Sequence, residues 1–550
     1  MNKEIVIQKG RGETSAAVFE EDRLVEYYLE RSGGARLTGN IYKGRVENVL
    51  PGMQAAFIDI GLEKNAYLYV DDVLMTVDGV RDIAHLLKSG QEILVQVAKE
   101  PVGSKGPRVT GKLSLPGRYV VLLPNCTDVG ISRKIGDEAV RSRIKAFAEQ
   151  MRQRYHHGII VRTCALEATD EQLESDYLRL LTLWQNICAH VAEAKAPSLV
   201  HRDNALPERI LRDLWSEDVS YMIVNDETAY AGLQRVMRGQ GGHCRLRLMD
   251  DEKIEMLYNI RAEVDKALKR RVWLKNGGYL VIDQTEALTV IDVNTGKFVG
   301  THDLQDTILQ MNLEAAAEIA RQIRLRNLGG IIIVDFIDMQ DTGSKARLLE
   351  ALTRELEPSR TKAQVLGLTQ LGLVEITRKK NGVSLAALLE KPCPYCDGKG
   401  RILSEETTAS RIRRELAEVA GRTEAAAIAV TCHPLAAAAL IGENGQRLEE
   451  LRQELGKEII VQGRSDQLPE SYAIQAVHQQ VSPQSSFAPV LPREIVRLIV
   501  SAVHKEQTSD GIGRIEGFVI QIRNAAPFVG QELLVEIDHV YATHAVAHKL

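Results

Sequence analysis

The chain has 550 residues, of which 44% are apolar, so it is long enough for several domains with their own cores. The formal net charge of -5 excludes an overall basic protein and confines any polyanion site to a local patch. The first residues, MNKEIVIQKG, lack the apolar core of a secretory signal, and no apolar run is long enough to span a membrane. Seven cysteines, scattered apart from one close pair, indicate the reducing cytoplasm.

Residues 1–34 are predicted to form short strands. Glu4–Gln8 is one strand, and Thr14–Phe19 and Leu24–Leu29 form a hairpin that ends before the break at Ser32-Gly33-Gly34. Because a hairpin needs a larger sheet to be stable, we expect a later part of the chain to complete this domain.

Residues 35–116 have the short strands and glycine punctuation of a small closed barrel. Phe57 and Tyr67 lie on neighbouring strands and could form a platform for stacked bases. Basic residues that could meet the phosphates are Lys43, Arg45, Lys64, Lys105, Arg108 and Lys112. The alternative is that the aromatic rings fill the barrel interior and the basic side chains solvate its rim.

Residues 117–207 are predicted to be mostly helical, with short strands at VGISRKI and GIIVRTCA. Arg162 and Thr163 follow the second strand, and a guanidinium beside a hydroxyl suits a terminal phosphate. Taken alone, such a pair is better explained as a surface arginine. Residues 208–270 contain the strand Val219–Val224 and then helices.

Residues 271–390 contain two apolar strands that each end in an aspartate, Leu288–Asp292 and Ile331–Asp335. The helical spacing of Leu304–Asn327 between them predicts a crossover and parallel pairing. Parallel strands end at one sheet edge, so Asp292 and Asp335 should meet there, with Asn294 beside them. Carboxylate and amide oxygens are ligands for Mg²⁺ or Mn²⁺.

The simpler reading of either aspartate alone is a turn former or a helix cap. The pair in this topology, together with Asn294, favours a metal site. Glu286 and Asp338 are close enough in sequence to act as alternative ligands or as partners of the ligands. Arg378 and Lys379 follow a short strand and would supply phosphate contacts.

Residues 391–402 contain Cys393 and Cys396 in a C-x-x-C motif among turn-forming residues. Zinc takes four ligands, and the chain has no second C-x-x-C, so a symmetric dimer with two cysteines from each copy would complete the site. A redox disulfide is the alternative.

Residues 403–480 alternate helix and strand, which predicts a small α/β domain for assembly. The composition of Ser482–Pro492 indicates a linker. Residues 490–550 are glycine-punctuated strands and resemble a small TRAM-type barrel.

Several motifs, which occur in order along the chain, resemble the ribonuclease E/G family in its compact, ribonuclease-G-like form. They are TEALTVIDVNTG, NLEAAAEIARQIRLRNLGGIIIVDFIDM, GLVEITRKK and C-P-x-C-x-G-x-G. The resemblance covers about residues 1–460. It implies a multidomain α/β protein whose parts are as follows: RNase H-like segments at 1–34 and 208–270, an OB-type barrel at 35–116, a 5′-monophosphate sensor at 117–207, a DNase I-like catalytic domain at 271–390 and a zinc linker at 391–402.

The resemblance also implies roles for single residues. Asp292 and Asp335 would hold Mg²⁺ and Asn294 would support them. Phe57, Tyr67 and Lys112 would bind RNA, with a tyrosine at 67 where the family favours phenylalanine. The implied 5′-phosphate residues are Arg162, Thr163, Gly130 and Ile131. Cys393 and Cys396 would clamp zinc between two protomers of a homodimer that assembles into a homotetramer.

The implied activity is metal-dependent endonucleolytic cleavage of single-stranded, A/U-rich RNA in the bacterial cytoplasm, in rRNA and tRNA processing and mRNA decay. One alternative is a non-catalytic RNA-binding assembly factor, against which the intact Asp292, Asn294 and Asp335 argue. A second is a metal phosphatase for small phosphoesters, for which an aromatic and basic barrel has no use.

Overall fold

The computed structural model describes most of the chain. The described residues are 2–31, 36–74, 82–101, 105–216, 218–238, 244–296, 304–380, 382–442, 445–477, 490–504, 507–515, 518–541 and 544–550. The expected break at Ser32-Gly33-Gly34 and residues 482–489 of the expected linker lie outside these ranges. Contacts divide the chain into two compact units, Met1–Glu390 and Lys391–Leu550.

The elements of the first unit are as follows. Up to residue 116 they are β1 (Lys3–Lys9), β2 (Glu13–Glu20), β3 (Arg23–Arg31), β4 (Ile41–Leu50), β5 (Ala55–Asp59), β6 (Ala66–Tyr69), α1 (Ile83–Leu86), β7 (Glu92–Lys99), β8 (Arg108–Thr110) and β9 (Leu115–Pro116). Up to residue 270 they are β10 (Val120–Leu123), β11 (Val129–Ile131), α2 (Glu138–Tyr155), β12 (Gly158–Val161), α3 (Asp170–Glu193), β13 (Ser198–His201), α4 (Leu206–Leu214), β14 (Val219–Val224), α5 (Glu227–Arg238), β15 (Arg245–Leu248), α6 (Asp251–Tyr258) and α7 (Ile260–Leu268). Up to residue 390 they are β16 (Arg271–Trp273), β17 (Tyr279–Gln284), β18 (Leu288–Asn294), α8 (Leu304–Leu325), β19 (Gly330–Asp335), α9 (Thr342–Leu356), β20 (Ala363–Leu368), β21 (Val374–Arg378) and α10 (Leu385–Leu389).

The elements of the second unit are α11 (Glu405–Arg422), β22 (Ala427–Cys432), α12 (Pro434–Ile441), α13 (Gln446–Leu455), β23 (Glu458–Gly463), β24 (Tyr472–Val477), β25 (Ile495–Ile499), β26 (Ala502–Val503), β27 (Gly511–Ile515), β28 (Phe518–Arg523), β29 (Glu532–Val540) and β30 (His544–Lys549). Among the helices of the described ranges, none is both long enough and apolar enough to cross a membrane.

The N-terminal hairpin belongs to a sheet with the strand order β15-β14-β1-β2-β3. Strand β1 pairs with β2 in antiparallel fashion and with the much later β14 in parallel fashion. Ile5 and Ile7 on β1 are fully buried against a core to which helix α4 contributes. The expectation that a later segment completes this sheet is confirmed.

A closed barrel follows, in which β4, β5, β6, β8 and β7 are neighbours and β7 pairs back onto β4. Its interior holds apolar side chains such as Val46, Ile58 and Leu68. Strand β9 pairs instead with the next sheet, whose order is β11-β12-β10-β9. Strand β13, far along the chain, hydrogen-bonds to β4 on the barrel. The barrel sheet therefore combines residues from both sides of the boundary expected at 116.

The third sheet of the first unit has the order β16-β17-β18-β19-β21-β20. Helix α8 connects β18 to β19, which are parallel as expected. Its apolar residues, including Ala315, Ile319 and Ile323, pack with α9 on one face of the sheet. The chain then turns into β19 at Gly330, whose φ of +96° disfavours side chains other than hydrogen.

Helix α8 is tied to the N-terminal sheet by buried ion pairs. The Arg324 guanidinium donates to both carboxylate oxygens of Glu20, at 2.7 and 2.8 Å, and to Glu26 at 3.1 Å. Bidentate pairs of this kind fix orientation as well as distance. They hold the helix behind β18 and β19 in a defined position on β2 and β3.

The second unit contains two sheets. Strands β23, β22 and β24 are neighbours in that order and pack with α11, α12 and α13. The alternation of helix and strand expected for residues 403–480 is confirmed. The other sheet has the order β25-β29-β30-β28-β27-β26 around a separate apolar core.

Candidate functional site: a carboxylate edge with its accessory regions

Asp292 and Asp335 lie directly opposite each other in the parallel pairing of β18 with β19. Their neighbours Ile291 and Val334 are fully buried on the helix-covered face of the sheet. Because side chains alternate along a strand, both aspartates project from the other, open face. With Asn294 they line a cavity of about 320 Å³ at the edge where the two strands end.

Asn294 is the last residue of β18 and points to the same face as Asp292. Its Nδ2 donates to Asp292 Oδ2 at 2.8 Å. This bond fixes one carboxylate oxygen and leaves the amide oxygen of Asn294 available to a ligand. Asp338 lies three residues after Asp335, in the segment between β19 and α9, and lines the same cavity.

The cavity concentrates negative charge. Partial burial, and then the charges of Asp292 and Asp338, raise the pKa of Asp335. A bound cation would relieve this repulsion. Within the described ranges, no three His, Cys, Asp or Glu side chains converge as a preformed metal cage. Two carboxylates and an amide oxygen in an open cleft nevertheless fit Mg²⁺, which keeps several of its waters.

A buried asparagine that the sequence reading missed fixes the loop behind Asp335. Asn312 on α8 is fully buried, donates its Nδ2 to the Ile337 carbonyl at 2.8 Å and accepts from the Ile337 N–H at 3.1 Å. Because this clamp holds both backbone groups of Ile337, it sets the path of the chain between Asp335 and Asp338. The available signal was a polar residue within the apolar pattern of the helix.

Glu286 does not join the cavity. It lies in the turn between β17 and β18, at the start of β18, whereas Asp292 is near its end. At about 3.3 Å per residue the two are roughly 20 Å apart. The expectation that Glu286 supports the metal is therefore wrong, because the hairpin places it at the opposite edge of the sheet.

The expected phosphate contact of Arg378 is also not available. Arg378 pairs with Gly330 at the start of β19, opposite to the Asp335 end. Its side chain is 7% exposed, and Nη1 donates to the Leu328 carbonyl and to Asn327 Oδ1. The cause is the strand alternation, which turns Arg378 to the core side. Lys379 is exposed, at the same remote end.

The residues expected around a terminal phosphate are brought together by the pairing of β11 with β12. Gly130 and Ile131 lie opposite Ile160 and Val161, immediately before Arg162. Thr163 is exposed, and its Oγ1 lies 2.8 Å from the hydroxyl of Ser132, which follows Ile131. A backbone edge and two hydroxyls thus surround one spot on the surface.

The Arg162 guanidinium already has partners at this spot. Nη1 donates to the Gly117 carbonyl at 2.6 Å and Nη2 to Asp213 Oδ1 at 2.8 Å. Burial alone would raise the pKa of Asp213, but Arg212 and Arg162 outweigh it, so that the pKa is lowered. Asp213 on α4 was not foreseen, since nothing in the sequence links it to Arg162.

On the barrel, Phe57 and Tyr67 are cross-strand partners whose ring centroids are 6.1 Å apart at an interplanar angle of 71°. Both rings are half-buried, whereas Ile58 and Leu68, the next residues along the two strands, are buried inside the barrel. The rings therefore lie on the outer surface of the barrel. Lys112 is exposed.

Three of the other basic side chains expected to meet phosphates already have hydrogen-bond partners within the protein. Lys43 donates to the Ala194 carbonyl at 2.8 Å, Arg45 to the Ala196 carbonyl at 3.1 Å and Arg108 to Asp72 at 2.7 Å. Of these three side chains, Lys43 is largely covered, whereas Arg45 and Arg108 remain 47% and 41% exposed.

The C-x-x-C segment carries two free thiols, with Cys393 exposed and Cys396 half-buried. Hydrogen bonds from the backbone N–H groups of Tyr395 and Cys396 lower the pKa of the Cys393 thiol. The Gly400 N–H donates to Cys396 Sγ at 3.3 Å. Backbone donors aimed at sulfur favour the thiolate, which is the form that binds metal.

Comparison with known proteins identifies relatives over most of the chain. Ribonuclease G of Salmonella typhimurium (strain SL1344) and of Escherichia coli (strain K12) are each 38% identical over 475 residues, which cover 84% of this chain and 97% of the relative. The chain belongs to the ribonuclease E/G family. Ribonuclease E of Synechocystis sp. is 41% identical over 414 residues, 73% of this chain and 60% of the relative.

Family models place the domains. The Ribonuclease E/G family model matches residues 114–381, which include Asp292, Asn294 and Asp335. The model of the RNase E/G thioredoxin-like domain matches residues 392–477, and that of the TRAM domain matches residues 489–550. The family resemblance and the TRAM-type segment are thus confirmed. The small α/β segment is a thioredoxin-like domain, which its sequence pattern had not revealed.

Among solved structures, one chain of an a/eIF2alpha-aDim2p-rRNA complex from Pyrococcus horikoshii OT3 matches at 15% identity, covering 38% of this chain and 99% of that chain. The TM-score of 0.12 is too low to bear on the fold or function of this member of the ribonuclease E/G family.

Proposed function

We propose that this chain is a metal-dependent endoribonuclease that cuts single-stranded RNA. The observation that carries the proposal is the register of Asp292 with Asp335 on the open face of the sheet, with Asn294 bonded to Asp292. Membership of a ribonuclease family supports RNA as the substrate. The preferred cofactor is Mg²⁺, with Mn²⁺ as an alternative of similar ligand chemistry.

Asp292 and Asp335 would hold the cation, each through oxygens on the open side of the cleft. When bound, it lowers the pKa of a water ligand and offsets charge developing on the phosphorus centre. Asn294 orients Asp292 through its Nδ2 and directs its amide oxygen to the nucleophile or the scissile phosphate. Attack in line on phosphorus leaves 5′-phosphate and 3′-hydroxyl ends.

Phe57 and Tyr67 give the barrel an outward aromatic pair that would stack on splayed bases. Stacking of this kind requires unpaired nucleotides, which are most accessible in A/U-rich segments. Lys112, which is exposed, would contact phosphate. These contacts favour single-stranded RNA over duplex.

Arg162 and Thr163, with the backbone at Gly130 and Ile131, would bind a 5′-monophosphate. A phosphate arriving there competes with Asp213 for the Arg162 guanidinium. The energy of this contact aids productive binding of the RNA more than the chemical step.

Cys393 and Cys396 would bind zinc together with the same two cysteines of a second copy, forming a homodimer that pairs into a homotetramer. We place the enzyme in the bacterial cytoplasm, in rRNA and tRNA processing and mRNA decay. The TRAM domain adds a second surface for RNA within the same chain.

The deciding experiment incubates a short end-labelled A/U-rich RNA with the purified protein in Mg²⁺ and in EDTA. We expect internal cleavage in Mg²⁺ only, and products that ligate through their 5′-phosphates. Binding without cleavage in Mg²⁺ would overturn the proposal in favour of an RNA-binding assembly factor. Release of phosphate from small esters, with RNA left intact, would instead indicate a phosphatase.

A further inference from the structure

The outer strands of the carboxylate-bearing sheet carry a cluster of two aromatic rings and a guanidinium. The rings of Trp273 and Tyr279 have centroids 5.3 Å apart at 59°. The Arg271 guanidinium lies over Tyr279 at 4.4 Å and over Trp273 at 5.8 Å. The three groups form a cation–π cluster on the protein surface, in which the two rings also contact each other.

The cluster shares a face with the proposed catalytic residues. Tyr279 is the direct cross-strand partner of Asn294, and Trp273 is the partner of Tyr279 on the next strand. Neighbouring strands are about 4.8 Å apart, so the two rings lie one and two strand spacings from Asn294. Leu280 and Val293, which alternate with these residues, pack in the core on the other face.

Packing within the chain does not account for the exposure of Trp273. Its side chain is 60% exposed, whereas Trp215 is 5% exposed and Trp184 packs against the core of the β11-β12-β10-β9 sheet. The adjacent residues Val272 and Leu274 supply the contact of β16 with the core. An indole that is held in place by a neighbouring ring and a cation, with its remaining surface open, suits a planar ligand.

We propose that Trp273, Tyr279 and Arg271 form a stacking subsite for one base of the RNA, flanking the phosphodiester that is cut at Asp292 and Asp335. The inference rests on the proposed function and adds a substrate contact to it. Every base has a π-face, and the guanidinium can also reach the adjoining phosphate. A second protein copy fits this face poorly, because packing on Tyr279 would cover Asn294 and close the cleft.

Tryptophan fluorescence tests the contact directly. The chain has three tryptophans, of which Trp273 is the exposed one. Titration with a short single-stranded RNA in EDTA should quench the emission of the wild-type protein. The quenching should be absent in Trp273→Phe, which keeps a ring for stacking. Equal quenching in both proteins would overturn the subsite.

Cleavage of RNAs with a single abasic position identifies the base involved. For the wild-type enzyme, an RNA that lacks one base near the cut should have a KM about 10-fold higher than intact RNA. Trp273→Ala should raise the KM for intact RNA by a similar factor. The two losses should not add, because they remove the same contact. The matched control is Leu366→Ala, an equally exposed apolar residue (54%) on the opposite outer strand, for which we expect KM within twofold of wild type.

Three outcomes are separable. Failure of the wild type to cut intact RNA contradicts the proposed function itself. Normal cleavage with an abasic penalty that persists in Trp273→Ala contradicts the subsite alone. A Trp273→Ala protein that sediments as a smaller species, with RNA affinity unchanged, would make the face a subunit contact and overturn the subsite.

Discussion

The carboxylate cleft (Asp292, Asn294 and Asp335) and the Arg162 pocket (Arg162, Thr163, Gly130 and Ile131) both lie at the carboxyl ends of strands, yet their charges are balanced in opposite ways. In the cleft, Asp335 faces Asp292 and Asp338, and its pKa is raised by burial and by like charge. In the pocket, Arg162 already has a carboxylate partner in Asp213, which also pairs with Arg212.

This difference sets what each region requires from a ligand. The cleft is electrostatically incomplete and gains stability from a cation of any matching size and ligand preference. In the pocket Arg162 already has a carboxylate partner, so an anion bound there would share the guanidinium with Asp213 and gain less than it would from an unpaired cation. The cleft should therefore dominate the chemistry, and the pocket should tune substrate choice.

The largest expected effect is the loss of the cleft. Asp292→Asn or Asp335→Asn should lower the cleavage rate by about 1,000-fold or more, because several kcal/mol of cation-dependent stabilisation are lost. RNA binding, measured by fluorescence anisotropy, should persist. Asp283→Asn is the matched control, since this carboxylate is paired with Arg270 on the same sheet. Cleavage at the wild-type rate by either cleft variant would show that the cleft is not the site of cleavage.

The pair Cys393 and Cys396 is a third site of this kind, where backbone N–H groups stabilise the negative charge of the Cys393 thiolate. Cys393→Ser should abolish bound zinc and convert the assembly to smaller species, because only two of the four cysteine ligands of a shared site would remain. Metal analysis and sedimentation velocity give both readouts. Cys188→Ser, an exposed cysteine on α3, should change neither. Full zinc content in the Cys393 variant would count against a shared site.

A smaller effect is expected in the pocket. Arg162→Ala should reduce the preference for 5′-monophosphate over 5′-hydroxyl RNA by about 10-fold, the scale of one charged hydrogen-bonded contact. Asp213→Asn should increase that preference, since it removes the competing carboxylate. Paired cleavage rates on the two RNAs measure both variants. A decrease in Asp213→Asn would mean that Asp213 positions Arg162 rather than competing for it.

The smallest effect concerns stability without metal. The pKa of Asp335 is higher in the folded chain than in the unfolded chain. Its contribution to the free energy of unfolding is therefore favourable below the unfolded pKa of about 3.9. This contribution is lost as pH rises through the folded pKa. Asp335→Asn should therefore melt roughly 1–3 °C above wild type in EDTA at pH 7, and the gap should close towards pH 4. Differential scanning fluorimetry across that range is the measurement. Mg²⁺ should stabilise the wild type more than the variant; a larger gain for the variant would refute the argument.

The sequence was sufficient for the meeting of Asp292 with Asp335, because a long helix between two apolar strands leaves parallel pairing as the simple solution. It also contained the signal for Glu286, which lies six residues before Asp292, just ahead of the predicted strand, and is therefore about 20 Å away. For Arg378 a signal existed: Val374, Ile376 and Arg378 occupy alternating positions, and the first two are core residues.

Other features depend on contacts between distant segments. Asp213 meets Arg162 through the packing of α4, and strand β13 returns to the barrel after helices α2 and α3. Trp273 and Tyr279 appear as ordinary strand residues until their register with Asn294 is known. Local pattern carries no information on such meetings, which are decided by tertiary packing.

The pairing of β1 with β14 has a consequence for synthesis on the ribosome. At a synthesis rate of about 5–20 residues per second, strands β1–β3 are complete roughly 10–40 s before β14, the parallel neighbour of β1, is synthesised. During that interval Ile5, Ile7 and Val18, buried in the finished sheet, face the solvent beside an open hydrogen-bonding edge. Nascent chains arrested before Val224 should consequently be strong clients of chaperones and proteases, whereas those released beyond α8 should not.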